Sequence, residues 1–368
     1  MVGGGPGSWV GEPHRIAMRV DDRFELVAGC FSRDAAKSRE LGERLRLDPD
    51  RVYDDWASMI AAESERADGV EAVSVVTLPD THSAVASACL DAGLHVVCEK
   101  PLTTSLEDAR RLERRARECG VVFAVTHNYS GYPMVRQAAS LVREGALGEI
   151  RVVHVQHAQG FGARPAEREG DAHLAWQADP AVSTEASVLY DLGTHAHHLL
   201  RFVTGLEVAE VAAELETHVT GRPIFDDAHV LLRLSNGARG SLWASAVAAG
   251  EEHGLQIRAY GEHGSLVWRH EESHRLWFRP VDGPEQMFSP GRDGLSDSAR
   301  AASRMGLGHA EGFHEAFANL YSEIADAIEG RGQDNRLFPT VHDGAAGVRF
   351  VEAAAASHSN GGAWTAVG

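Results

Sequence analysis

Through the first third of the chain, short apolar runs alternate with amphipathic stretches. Phe24-Glu25-Leu26-Val27-Ala28-Gly29-Cys30-Phe31 reads as a buried strand, and Asp34 to Leu45 as a helix with Leu41 and Leu45 on one face. Val70 to Val76 is a β-branched run that stops at Thr77-Leu78-Pro79-Asp80, where proline ends the strand and opens a loop. A helix is predicted from about His82 to Ala92, closed by Gly93, and Leu94 to Cys98 makes the next short strand. Ser105, with Asp108 three residues on, caps a helix running through Arg117, and Val121 to Val125 supplies one more strand. Such alternation implies a parallel sheet covered by helices, in which ligands bind beyond the carboxyl ends of the strands.

From about Arg151 the period changes. His229 to Leu234, Gly240 to Ala244 and Leu255 to Tyr260 are alternating segments that predict an open antiparallel sheet. Helices are predicted over Ser187 to Val203, His314 to Ile328 and Asp343 to Ala356. Ser289 to Gly306 is rich in Gly, Ser, Asp and Arg without an apolar period and reads as a surface loop or a lid. The change of period places a domain boundary near Asn128, giving domains 1–128 and 129–368, with the final helix, 343–356, able to pack back on the first.

Bulk composition agrees with two globular domains: 368 residues, 43% apolar and 24% charged. A formal charge of -18 disfavours a nucleic-acid partner, which needs a basic surface. The arginines between Arg110 and Arg117 are interrupted by acidic residues at helical spacing and read as a solvated helix face. Four cysteines without C-x-x-C spacing fit reduced thiols, and no signal peptide or membrane-length apolar run is evident, so a cytoplasmic protein is expected.

Chemistry enters first at the glycine-rich start. Gly3, Gly5 and Gly7 follow Met1-Val2 and can bring backbone close to a pyrophosphate at a helix N-terminus, with Ser8 standing where the last glycine of G-x-G-x-x-G would be. A flexible, tag-like terminus is the alternative. At the end of the second strand, where an acidic residue would bind a ribose 2′-hydroxyl, the chain has Ser32 and Arg33, a hydroxyl and a guanidinium that suit a 2′-phosphate. Arg33 can also be read as a surface residue. These residues point to NAD(P), with NADP favoured over NAD.

Glu99-Lys100-Pro101 directly follows a strand, so Lys100 stands at the nicotinamide end, where a lysine of lowered pKa serves in proton transfer. The plainer reading is a structural Glu99–Lys100 salt bridge. Asp191 and His195 are four residues apart and project from one helical face, where a histidine can exchange a hydroxyl proton near neutral pH. They too can be read as a structural pair. His198 shares that face, but no further ligand set is obvious and no metal is expected. His197 reads as an ordinary polar position.

Together these residues resemble the glucose-fructose oxidoreductase and inositol dehydrogenase (Gfo/Idh/MocA) family. The resemblance is carried by Thr77-Leu78-Pro79-Asp80-Thr81-His82, Glu99-Lys100-Pro101 and Asp191-Leu192-Gly193-Thr194-His195. It implies an α/β protein, an N-terminal Rossmann domain plus a C-terminal α/β domain with an open, mainly antiparallel sheet that serves substrate binding and homo-oligomer contacts, as dimer or tetramer. It further implies that Thr77, Leu78, Pro79, His82, Glu99, Lys100 and Pro101 border the dinucleotide, and that Lys100, Asp191 and His195 share proton transfer while hydride passes between a substrate carbon and nicotinamide. Tyr129, in His127-Asn128-Tyr129, and Trp176 suit the apolar face of a pyranose or cyclitol, or are core aromatics.

The chain departs from the pattern at Gln177, where a basic residue is common, at Ala186-Ser187, where a glycine pair is common, at Asp80, and in a lengthened glycine loop leading to Gly11-Glu12-Pro13-His14. The expected reaction is oxidation of a secondary hydroxyl on a sugar, glycoside or cyclitol. The alternatives are glycoside cleavage through transient oxidation with recycled NAD, and a non-catalytic dinucleotide-binding sensor.

Overall fold

Four short strands, β1 (Val2–Gly3), β2 (Ala72–Val76), β3 (His95–Cys98) and β4 (Phe123–Val125), pair side by side in that order, all parallel. Their valines and Ala124 are buried because helices cover both faces of such a sheet. The helices are α1 (Gly11–Val20), α2 (Ala35–Arg44), α3 (Trp56–Glu65), α4 (Pro79–Asp91) and α5 (Leu106–Cys119). These coordinates are a computed structural model that describes residues 1–170, 172–331 and 336–368. The chain divides into two compact units, Met1–Gly131 with Phe313–Ala345, and Tyr132–Gly312 with Ala346–Gly368.

Two expectations for the first unit are corrected. Phe24 to Phe31 is not a full strand: only Gly29 and Cys30 form bridges, to Val52 and Val2. Phe24 donates its N–H to Met18 O at 3.3 Å, and Phe31 donates its own to Ser38 Oγ at 3.0 Å, so the ends of the run are drawn away from the ladder. The second correction concerns Pro79, which opens α4 rather than a loop. A missing N–H is harmless at the first helical position, where that donor has no intrahelical partner. The Ser105 cap behaves as expected, its Oγ accepting from Asp108 N at 3.4 Å, and Asp34 proves to cap α2, accepting from Ala36 N and Lys37 N.

The second unit is built on α6 (Pro133–Arg143), β5 (Ile150–Ala158), α7 (Ala172–Gln177), α8 (Pro180–Ser183), α9 (Thr194–Thr204), β6 (Val208–Glu216), β7 (Asp227–Leu234), β8 (Arg239–Ser245), β9 (Leu255–Gly261), β10 (Gly264–Arg269), β11 (Leu276–Pro280), β12 (Gln286–Phe288) and α10 (Asp297–Ala301). After α11 (Phe313–Ile328) of the first unit, α12 (Val341–Ser359) and β13 (Thr365–Ala366) complete the chain. The nine strands run β12-β11-β10-β9-β5-β8-β7-β6-β13, antiparallel except for the parallel pair β5 and β8. Alternating burial along β6 and β7 leaves one face apolar, and α9 lies against β5, β8 and β9.

Ser289 to Gly306 is not simply a surface loop. It holds α10, packs against α6, buries Leu295, Ala299 and Ala302, and is pinned where Ser296 N donates to Gln137 Oε1 at 2.7 Å. The predicted helix from Ser187 to Val203 is also interrupted. After a single α-helical step at Ser187 and Val188, Leu189–Gly193 forms a π-turn in which Thr194 N reaches Leu189 O, and regular α-helix resumes at Thr194. The Leu189 side chain packs over Gly193, where a Cβ would approach Leu189 Cδ2 to 2.8 Å and push that side chain aside.

Candidate active site

In the first unit the candidate residues gather at the carboxyl ends of the parallel strands. A Cβ on Gly3 would overlap Val76 O, one on Gly5 would overlap Phe31 O, and Gly3 and Gly7 have φ of +82° and +87°. Nothing lies within 4 Å of the Cβ position of Gly7, so that turn faces open space. Ser8 closes the loop by donating N–H to Gly5 O at 3.0 Å and accepting Gly11 N on Oγ at 3.2 Å. The closest helix-to-loop approach falls to Gly11, whose Cβ would overlap Gly4 O, a role the G-x-G-x-x-G spacing had placed at Ser8. Backbone free of side chains before a helix N-terminus fits the pyrophosphate of a dinucleotide.

Ser32 Oγ accepts Asp34 N at 3.1 Å, while Arg33 is exposed. Asp34 spends its carboxylate on capping α2. His82 ties two of the loops together, one ring nitrogen 3.1 Å from Thr77 O and the other 2.9 Å from Pro101 O. Burial pushes its pKa down against the pull of these carbonyls, so the neutral ring donates to one of them.

Glu99 is the buried anchor before Lys100. His14 Nε2 donates to its carboxylate at 2.9 Å, Thr126 donates through its hydroxyl, and Lys100 N donates to Oε2 at 3.1 Å. Behind His14, Nδ1 lies 2.6 Å from Tyr321 OH, and Ser74 Oγ lies 3.2 Å from that same hydroxyl. Desolvation pushes the Glu99 pKa up, but the hydrogen bond and charge of His14, then Thr126 and the Lys100 charge, together hold it below the ordinary value. The carboxylate is therefore ionised and fixed, and the peptide that follows it, a cis Lys100–Pro101 bond, carries Lys100 half-exposed at the end of β3. Tyr129 is buried in a short 3₁₀ turn, Asn128–Gly131, directly after β4.

In the second unit, Asp191 sits on the π-turn and His195 at the start of α9. Gln177 Nε2 donates to Asp191 Oδ2 at 2.8 Å. His195 is buried, with the His157 ring against it at a centroid distance of 5.7 Å, and His157 Nδ1 is 3.3 Å from Leu192 O on the π-turn. His253 stacks on His157 at 4.8 Å and on His270 at 3.7 Å. Burial, then the neighbouring imidazoles, lowers the His253 pKa to about 2, so this ring stays neutral. Trp176 is half-buried on α7.

A small cavity of about 30 Å³ is lined by Asp191, Gln177, Phe161, Ser187, Arg222 and Asp226, among others. Arg222 is committed to the carboxylates of Glu167 (3.0 Å) and Asp226 (3.0 Å). His197 is not an ordinary polar position: it is buried and stacked on Phe350 at 4.6 Å. Among the described residues, no group of three His, Cys, Asp or Glu side chains is placed to hold a metal ion, and no helix is long and apolar enough to cross a membrane.

A parallel sheet with a glycine loop and a buried glutamate followed by a half-exposed lysine, joined in one chain to a large mixed sheet, defines a class of dinucleotide-binding oxidoreductase. Residues 1–127 match the oxidoreductase family with an NAD-binding Rossmann fold, and residues 135–267 match the GFO/IDH/MocA C-terminal domain. The chain belongs to this Gfo/Idh/MocA family. It is similar to the uncharacterized oxidoreductase YfiI of Bacillus subtilis (strain 168), 35% identical over 373 residues covering 99% of this chain and 95% of that protein. It is also similar to a solved inositol dehydrogenase homolog from Azotobacter vinelandii in complex with NAD+, with 39% identity, a TM-score of 0.95, and coverage of 100% and 96%. The same homolog with NADH and myo-inositol aligns at a TM-score of 0.92, with 39% identity and the same coverage. This chain is thus an NAD-binding oxidoreductase of the sugar and cyclitol dehydrogenase type.

Proposed function

We propose that this enzyme oxidises a secondary hydroxyl of a neutral cyclic polyol, a cyclitol or pyranose, and passes the hydride to a nicotinamide cofactor. The observation that carries the reading is Lys100, set at the carboxyl end of a central parallel strand and directly after a buried carboxylate fixed by His14 and Thr126. When bound, the nicotinamide supplies the hydride acceptor; the protein supplies geometry and protons. Gly3, Gly5, Gly7 and Ser8 shape the pyrophosphate loop, and Ser32, Arg33, Thr77, Leu78, Pro79, His82, Glu99 and Pro101 border the rest of the dinucleotide. Lys100 lowers the barrier to loss of the hydroxyl proton through its ammonium, His195 accepts that proton, and Asp191 stabilises the imidazolium that results.

Tyr129 and Trp176 are assigned to the apolar face of the ring. Neutral substrates are favoured because Arg222, the cation lining the cavity beside Asp191, already faces two carboxylates. The myo-inositol bound by the Azotobacter homolog supports the same substrate class. A panel of cyclitols, sugars and glycosides offered with NAD or NADP, followed by absorbance of the reduced cofactor, tests the reading. Turnover of at least one cyclic polyol is expected, and a panel without cofactor reduction would sink it. Product formation without net reduction would instead indicate cleavage with recycled cofactor.

For the cofactor, we propose a preference for NADP, supported by the Ser32 hydroxyl and the exposed Arg33 guanidinium. Arg33→Ala is then expected to weaken NADPH binding about three- to tenfold and to leave NADH within about twofold, as read by fluorescence titration. Equal losses for both cofactors would remove Arg33 from the 2′-phosphate.

A further inference from the structure

We infer that Phe161 is a specificity-determining residue, whose aromatic face receives the C–H face of the substrate ring and sets a preference for cyclic over open-chain polyols. The inference rests on the reading proposed above, in which Asp191 serves at the substrate. Phe161 and Asp191 line the same small cavity of the second unit, and Phe161 is left 38% exposed at its rim. A single exposed phenylalanine is ordinary on a protein surface. This one stands on backbone held from three sides. Gly160 donates its N–H to Glu251 O at 3.1 Å and Gly162 donates its own to Ala246 O at 2.8 Å, so both neighbours of Phe161 are fixed. From the third side, Arg222 Nη1 donates to Gly162 O at 2.8 Å and Nη2 to Arg164 O at 3.1 Å. The same buried guanidinium reaches Glu167 through Nε and Nη2, at 3.2 and 3.0 Å, and Asp226 through Nη1 at 3.0 Å. Each of its five N–H groups thus has an acceptor.

A loop whose position is set in folding gives up little freedom when a ligand arrives, so contact with its exposed side chain adds to affinity. The cavity, about 30 Å³, has room for a water molecule and not for a six-membered ring. A ring that presents a hydroxyl to Asp191 therefore lies across the mouth, where Phe161 stands. Pyranoses and cyclitols carry axial C–H groups that make an apolar face, and a flat aromatic side chain covers such a face. An open-chain polyol has no fixed face, and its rotatable bonds must be frozen to make one.

The test uses the full-length protein at saturating cofactor, with myo-inositol, glucose and methyl glucoside as rings and sorbitol as the open chain. Phe161→Ala is expected to raise KM for the best ring about 5- to 30-fold while kcat falls by less than about threefold, the pattern of a lost binding contact. Phe161→Leu keeps apolar bulk without the flat face and should raise KM in the same way, whereas Phe161→Tyr should stay within about threefold of the wild type. Either the alanine or the leucine variant decides alone if the other does not fold. A leucine variant with the KM of the wild type would make Phe161 a filler of the cavity and overturn the inference. The ring-over-chain preference is read as kcat/KM for the best ring against that for sorbitol, or against the sorbitol inhibition constant where sorbitol is not oxidised. It should fall about fivefold or more in Phe161→Ala, and an unchanged preference also overturns the inference. Wild-type protein that oxidises no ring would refute the reading of the site and this inference together; ring oxidation with KM unchanged in both variants would refute the assignment of Phe161 alone.

Discussion

Replacing Lys100 with methionine is expected to lower kcat on the best cyclic polyol by about 10²- to 10⁴-fold, the range of a lost proton-transfer group, while NADH binding changes by less than about threefold. Methionine keeps the length of the side chain and removes the ammonium. Glu99 stays in place because its donors are His14, Thr126 and the Lys100 backbone N–H, none of which the substitution removes. Loss of activity should therefore appear without loss of fold. A salt-bridge role for Lys100 would give the opposite pattern, a fall in thermal midpoint with most of kcat retained. Single-turnover reduction of bound cofactor separates the two, since it reports the chemical step without product release.

The alternation of strands and helices made the first sheet legible in sequence, because buried β-branched runs and well-capped helices are local signals. Val73, Val75, Val96 and Val97 are all buried in the strands where the pattern placed them. The Phe24 to Phe31 run misled because composition alone does not say where backbone donors go, and Ser38 and Met18 take the ends of this segment. Gly11 was legible only as the end of a lengthened glycine loop, and its close-approach role was not, because the loop is longer than G-x-G-x-x-G allows. A signal for it existed: Gly11, His14, Ala17 and Met18 are the buried stripe of α1 at helical spacing.

His14 is the instructive case among the site residues. A histidine on an apolar helix face reads as a core residue, and its partners are 85 and 307 positions away in the chain. No local pattern announces contacts of that range. Gln177 was visible only as a departure from the family pattern, and Ser187 as another. The structure shows them bonded to each other, Ser187 Oγ donating to Gln177 O, so two irregularities of sequence are one feature of the fold. The π-turn was illegible for a related reason: Gly193 in a helical run looks like a weak helix residue until the Leu189 side chain is seen packed over it.

Removing His14 is expected to destabilise the protein by about 3–5 kcal/mol near neutral pH, because it strips a buried carboxylate of its main donor. The loss should register as a fall in thermal midpoint of roughly 5–10 °C in His14→Ala. Part of it is packing, since the ring also meets Phe317 edge-on at 4.9 Å. The electrostatic part has a sign that packing lacks. In the wild type the Glu99 pKa is held below its ordinary value, so its contribution to stability is present above the unfolded pKa, near 4.5, and is lost as pH falls through the lower folded value. In His14→Ala, desolvation is no longer outweighed and the folded Glu99 pKa rises, so ionisation of Glu99 favours the unfolded chain instead. The gap between the two proteins should therefore be widest near pH 7 and narrow as pH falls below about 4.5. His14→Phe restores much of the ring volume without the donor and should keep the pH dependence while recovering part of the midpoint. A gap that is constant with pH in both variants would mean that Glu99 is not an ionised anchor beneath Lys100.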